Sequence, residues 1–180
     1  MQAIELLLNR HSCAKLSAPA PQGDSLKHIY EAGLKTPDHG GLKPWRFIEV
    51  SGSGLDQLSD IFIRAAELNK EDVEKAKTIP YRAPLIIIAI ASVKAHPRIP
   101  EIEQLLSAGC AVHAMQMAAQ AQGFNGIWRT GPASYDDYVK SELGLSEGEQ
   151  IVGYLYLGTP DGDVIVKKPY IVEDFVSVLG

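Results

Sequence analysis

Apolar positions in this chain recur at two periods, and the switches between them mark out its elements. Ile4, Leu7 and Leu8 share one face of a short helix predicted over Ala3 to Asn9. A polar, proline-containing loop, Ser17 to Gly23, leads to Asp24, a good N-cap. Leu26, Ile29, Tyr30 and Leu34 then follow at helical spacing, and the helix must stop before Pro37. Thr36 to Pro44 (TPDHGGLKP) is rich in turn formers and opens into a strand through Trp45, Phe47 and Val50. Ser51 to Gly54 reads as a turn, and Leu55 to Lys77 as one helix or two with a charged outer face. Pro84 to Val93 (PLIIIAIASV) is the longest apolar run. It is too short to cross a bilayer, and its β-branched content predicts a buried strand. After a loop at Ala95 to Pro100, Glu101 to Gln122 is the strongest helix, carrying Ile102, Leu105, Leu106, Val112, Met115 and Met117. Its middle, Ser107 to Ala111, is small on every side, so a sheet or a second subunit can approach closely. A strand over Phe124 to Arg129, a helix over Ser134 to Leu143 and a strand over Ile151 to Leu157, closed by Gly158-Thr159-Pro160, complete the pattern. A further apolar stretch begins at Val164.

Two helices precede the first strand, and later elements alternate loosely. This predicts an α+β layered domain rather than a doubly wound sheet. The 180 residues show no repeat, low-complexity tract or linker, so residues 1–180 read as one domain. The hydrophobic share of 46% and charged share of 22% are those of ordinary globular chains, and a net charge of −5 argues against a nucleic-acid or anionic-membrane binder. The N-terminus lacks the basic region and cleavage site of a signal peptide, which points to a cytoplasmic protein. Cys13 and Cys110 have no metal-ligand spacing and are expected as buried thiols rather than a disulfide, and no metal site is expected.

Three clusters could carry chemistry. Arg10-His11-Ser12 places a guanidinium and a hydroxyl within reach of one phosphate, although Arg10 can equally complement the helix end and Ser12 start a turn. Lys35 with Asp38-His39 and Lys43-Pro44-Trp45 puts a cation, a carboxylate and an imidazole in a loop. The alternative there is an Asx-turn at Asp38 with a solvated His39. Gly123 to Pro132 flanks a short strand with glycines that would let a flat ligand approach backbone amides. The alternatives are a helix cap at Gly123 and a plain turn at Gly131. The chain has no G-x-G-x-x-G after a strand, no Walker loop, no H-E-x-x-H and no G-x-S-x-G. Met115, Met117 and Cys110 read as helix core, and His28, His96 and His113 as structural or solvated.

Taken together the clusters resemble the nitroreductase superfamily, most closely its YdjA-like minimal nitroreductases. The matching segments are ELLLNRHS (Glu5 to Ser12), TPDHGGLKPWRF (Thr36 to Phe47), RAPLIII (Arg82 to Ile88), SAGCAVHAMQMAAQAQGFNGIWRTG (Ser107 to Gly131) and IVGYLYLGTP (Ile151 to Pro160). The resemblance implies a three-layer α/β/α sandwich around a mostly antiparallel sheet, and a homodimer with one FMN at each of two shared sites. It implies that Arg10, His11 and Ser12 hold the flavin from one subunit while Lys35 and His39 approach it from the partner. Gly131, Pro132 and Ala133 would then contact the isoalloxazine, and Ala121, Gln122, Gly123, Phe124, Asn125 and Gly126 the nicotinamide dinucleotide. Arg-Arg-Ser is usual at 10–12 and Arg at 35, so His11 and Lys35 reduce fixed positive charge near the flavin. Lys167 and Lys168 are candidates to face the phosphate.

The expected activity is a ping-pong transfer of hydride from NAD(P)H through flavin N5 to a nitroaromatic, quinone or similar acceptor, with no side chain assigned as obligatory acid or base. Three rivals stand beside it. One is a flavin-binding dimer whose redox activity is incidental, and another is a flavoenzyme of this fold with different chemistry. The third is a hydrolase with Cys13 or Ser12 as nucleophile, His39 as base and Asp38 as its orienter.

Overall fold

The computed structural model describes residues 2–162 and 170–180. Lys167, Lys168 and the start of the apolar stretch at Val164 lie outside the described residues. The chain runs α1 (Ala3–Leu8), β1 (Leu16–Ser17), α2 (Asp24–Gly33), β2 (Trp45–Ser51), α3 (Ser53–Asn69), α4 (Val73–Thr78), β3 (Leu85–Ser92), α5 (Glu101–Ala121), β4 (Asn125–Arg129), α6 (Asp137–Glu142) and β5 (Glu149–Pro160). The strands are ordered β4-β5-β3-β2, with β1 on the far end of β5, and every pairing is antiparallel.

Strand β3 is buried on both faces, which accounts for its unbroken apolar run. Its alternation feeds two cores. Ile86, Ile88 and Ile90 join Leu58, Phe62, Ala65, Ala66 (α3), Ala76 (α4) and Val139 (α6). Leu85, Ile87 and Ala89 join Ile29 (α2) with Val112, Met115 and Ala119 (α5). The result is the α/β/α sandwich expected from the sequence. Gly33 lets α2 and α5 close on each other: a Cβ there would lie 2.5 Å from Met115 Cε.

Several boundaries differ from the sequence reading, each for a physical reason. The segment 55–77, open between one helix and two, is resolved as two, because Lys70 adopts a left-handed conformation as a C-cap and the Asp72 side chain starts α4 by accepting from Lys75 N. The helix expected over Ser134 to Leu143 is a short 3₁₀ turn, Pro132–Ser134, followed by α6. Asp136 caps α6, its carboxylate accepting from Val139 N at 2.8 Å. Gly158-Thr159-Pro160 do not close the last strand. They are its end, because Leu16 and Ser17 pair with Pro160 and Thr159.

In α5, Met115 and Met117 are core, while Ile102 and Leu106 are 58% and 61% exposed. Ile4, Leu7 and Leu8 of α1 are exposed too. The thiols are free as expected, but Cys13 is half-buried and Cys110 exposed rather than buried, because Cys110 sits on the outer face of α5. No described helix is long and apolar enough to cross a membrane.

Candidate functional site

The first cluster is built where α1 ends against β4 and α5. The Arg10 guanidinium donates to Ser12 Oγ at 3.4 Å, so both face the same side of the loop. The loop is fixed from below by backbone and amide contacts. Cys13 N donates to Gly126 O at 3.0 Å, and Gln116 Nε2 to Gly126 O at 2.8 Å and His11 O at 3.4 Å. Gln120 Nε2 donates to Asn9 O at 3.1 Å. The His11 ring does not extend beside Arg10 and Ser12. Its Nδ1 is 2.9 Å from Asn9 O and its Nε2 is 2.7 Å from Asn125 Nδ2. Gly126 is a glycine because the backbones meet there: a Cβ would lie 2.4 Å from Tyr156 O.

The second cluster is at the other end of α5. The Asp38 carboxylate accepts from Leu42 N (3.1 Å) and Lys43 N (2.7 Å), which makes it the turn former. His39 is turned away from it and paired through Nδ1 with Glu103 Oε2 at 2.5 Å, both side chains largely exposed. Glu103, in the first turn of α5, was not singled out from the sequence. Lys35 is exposed just past α2. His39 is thus tied to Glu103 and the His11 carbonyl to Gln116, thirteen residues further along α5. At 1.5 Å per residue that separation is about 20 Å.

The third cluster borders a cavity of about 270 Å³. The turn Gly131-Pro132-Ala133 forms one rim, with Ala133 O accepting from the Tyr154 hydroxyl at 3.2 Å. Phe62, Ala65, Ala66 and Ile79 make an apolar wall. Arg82, Arg129 and Tyr156 line the cavity with polar groups, as do Lys75 and the Glu71 and Asp136 carboxylates. Burial pushes the Tyr156 hydroxyl up to about 12, although the Arg82 and Arg129 guanidiniums pull it the other way. Arg129 Nε is buried with no partner among the described residues. The sequence reading included Arg129 in the third cluster without giving it a role, and did not single out Arg82 or Tyr156. All three lie on a 3₁₀ turn and two strands that only the fold brings together.

The segment Ala121 to Gly126 divides. Ala121 and Gly123 are exposed, and Gln122 and Phe124 are half-buried. Asn125 (2% exposed) and Gly126 are interior. Gln122 Nε2 donates to Ser25 O and Ala118 O, joining α2 to α5. His28 and His113 are exposed, and His96 Nδ1 accepts from the Arg98 and Ile99 amides. Among the described residues no group of three metal-ligating side chains forms.

Residues 7–159 match the family described as Nitroreductase family. The chain belongs to the nitroreductase family. It is 45% identical over 163 residues to the Escherichia coli (strain K12) protein named "Putative NAD(P)H nitroreductase YdjA", covering 89% of each chain. It is 36% identical over 163 residues to a Haemophilus influenzae protein with the same NAD(P)H nitroreductase description, covering 88% of this chain and 89% of that one. Two solved structures share the fold. A nitroreductase-like family protein from Bacillus cereus has a TM-score of 0.87 at 19% identity, covering 99% of this chain and 96% of the other. A nitroreductase with bound FMN from Bacteroides fragilis has a TM-score of 0.75 at 20% identity, covering 98% of each. The nitroreductase-like fold and the mostly antiparallel sheet expected from the sequence therefore stand.

Proposed function

We propose that this nitroreductase-family chain is an FMN-dependent oxidoreductase that takes hydride from NAD(P)H and reduces a small nitroaromatic or quinone-like acceptor. It would work as a cytoplasmic homodimer. The observation that carries the reading is the cavity at the Gly131–Ala133 turn, lined by apolar Phe62, Ala65, Ala66 and Ile79 and by Arg82 and Arg129, whose buried Nε has no partner among the described residues. An isoalloxazine has matching halves: an apolar dimethylbenzene end and a pyrimidine end rich in acceptors. The cavity is at the small end of ligand pockets.

From Asn125, beside His11, to Arg129 the chain follows β4, about 14 Å at strand rise. A molecule with a phosphate at Arg10 and Ser12 and a ring at Gly131–Ala133 would lie along that strand. Arg10 supplies charge-assisted donors to the phosphate, and Arg82 and Arg129 fixed positive charge to an electron-rich ring edge. His39 is about 20 Å along α5 from the Arg10 cluster within one chain, so a second copy is needed to bring His39, and Lys35 with it, to the same site. FMN supplies two-electron hydride chemistry at N5. For a quinone the balance is NAD(P)H + H⁺ + quinone → NAD(P)⁺ + hydroquinone, and solvent can deliver the protons.

The hydrolase rival loses its support. Asp38 serves its own turn, His39 pairs with Glu103, and Cys13 Sγ donates to Lys15 O at 3.1 Å. The test is the visible spectrum of the purified protein before and after anaerobic NADPH. Yellow absorbance that bleaches supports the reading; a colourless monomer that cannot be reconstituted with FMN overturns it.

A further inference from the structure

We propose that Asn125 is a positioning residue that holds His11 as a neutral strut beneath Arg10 and Ser12, so that His11 serves the site by geometry and not by charge. The proposal rests on the reading that Arg10 and Ser12 meet a phosphate, but its geometry stands apart from any ligand. Asn125 Oδ1 accepts from Gly126 N at 2.7 Å, which fixes the orientation of the amide. Its Nδ2 is therefore the atom 2.7 Å from His11 Nε2, and an N–H donor there requires a lone pair on Nε2. At the other ring nitrogen, Asn9 O is an acceptor 2.9 Å away and requires a proton on Nδ1. Both contacts select one form, the neutral Nδ1–H tautomer. Protonating Nε2 would set two donors against each other at an amide that is only 2% exposed.

Both ring nitrogens are thereby used within the protein, and Arg10 is left as the charged member of the triplet. The strut has a purpose because the segment Asn9 to Cys13 has no regular structure of its own. It is held by side-chain amides from α5 and β4: Gln116 on the His11 and Gly126 carbonyls, Gln120 on the Asn9 carbonyl, and Asn125 on the ring. Asn125, expected at a dinucleotide, faces inward and acts on the flavin end of the site instead.

The test has two readouts on the full chain. Long-range ¹H–¹⁵N spectra of the FMN-stripped protein report the tautomer. They should show His11 protonated on Nδ1 in the wild type and gaining a proton on Nε2 in Asn125→Asp, which keeps the Gly126 contact and turns the donor into an acceptor. FMN fluorescence quenching reports affinity. Asn125→Ala should weaken FMN binding about tenfold, as loss of roughly one hydrogen-bonded contact would. The double variant with His11→Ala should bind no worse than the weaker single variant, because both remove the same contact. A wild-type His11 protonated on Nε2 overturns the proposal. So does an Asn125→Ala protein that binds FMN normally while His11→Ala does not, since that would make His11 a direct ligand. If Asn125→Ala does not fold, the tautomer comparison with Asn125→Asp still decides. If the wild type binds no FMN under any condition, the functional reading fails, and the tautomer result still judges the strut.

Discussion

At the residue scale the sharpest tension is at Arg129. A buried guanidinium nitrogen without a partner costs roughly 1–3 kcal/mol, a burden that persists in a fold only where something offsets it. If the offset is the ring edge of a bound flavin, stability and binding should move in opposite directions. Arg129→Met keeps the aliphatic stem and removes the orphan, so the FMN-free protein should melt higher, by about 1–2 kcal/mol of stability. The additional stabilisation on adding saturating FMN should shrink. Thermal melts of both proteins, with and without FMN, decide it. A lower melting point and an undiminished FMN shift would place the guanidinium outside the ring's seat. Arg10→Gln should act differently, lowering FMN affinity about tenfold or more through a lost charge-assisted contact while leaving the FMN-free melt nearly unchanged, since among the described residues the Arg10 side chain bonds only to Ser12 Oγ. Titration of FMN fluorescence measures the first effect and a melt the second. Arg10, Ser12 and the Gly131–Ala133 turn, which the proposed site uses, could be picked out of the sequence because each is a local run. Glu103, Arg82, Tyr156 and the Asn125–His11 contact could not, because each depends on residues far apart in sequence meeting across the fold.

At the scale of elements, the ends of β2, β3 and β5 are latched by one carboxylate. Glu149 accepts twice from Arg46 at 2.7 Å, once from Ser92 Oγ and once from Ser146 N at 3.0 Å. These donors, Arg46 first, hold its carboxyl down at about 2, against the burial that opposes them. A carboxyl depressed in the folded state contributes stability that is complete above its unfolded value and is lost as pH falls through the folded one. The latch should therefore hold at neutral pH and fade between about pH 4.5 and 2. Arg46→Leu should cost about 2 kcal/mol at pH 7, and the gap between variant and wild type should narrow steadily below pH 4.5. Urea unfolding at pH 7, 4 and 3 tests this; a gap that stays constant down to pH 3 would show that Arg46 acts by packing alone. The elements themselves were largely predictable because apolar period and capping residues agree. Helix α5 shows where that method gives out. Its glutamines 104, 116 and 120 point inward while Ile102 and Leu106 point outward. Hydrophobicity then no longer reports which face is inside, because the buried amide nitrogens of these glutamines donate to loop carbonyls.

At the scale of the whole molecule, these outward residues form part of a larger pattern. Ile4, Leu7 and Leu8 on α1, Ile102 and Leu106 on α5, and Trp128 on the edge strand β4 are all exposed, and α1 packs against α5. A single chain leaves much apolar surface in water on the same helix that separates the Arg10 cluster from the His39 cluster, and a second copy laid on α5 would cover it. Leu106→Glu isolates this claim. Leu106 is 61% exposed in one chain, so the substitution should leave the fold of that chain within about 0.5 kcal/mol of wild type. In a two-copy seam it would bury an unpaired carboxylate and its symmetry mate. Light scattering should then find a monomer with wild-type secondary structure, and the purified protein should have lost its flavin, because Lys35 and His39 no longer reach the partner's Arg10 cluster. A variant that stays dimeric and yellow would move the seam away from α5. A monomer that keeps its flavin would show that one chain holds the cofactor alone, and Lys35 and His39 would then need another task.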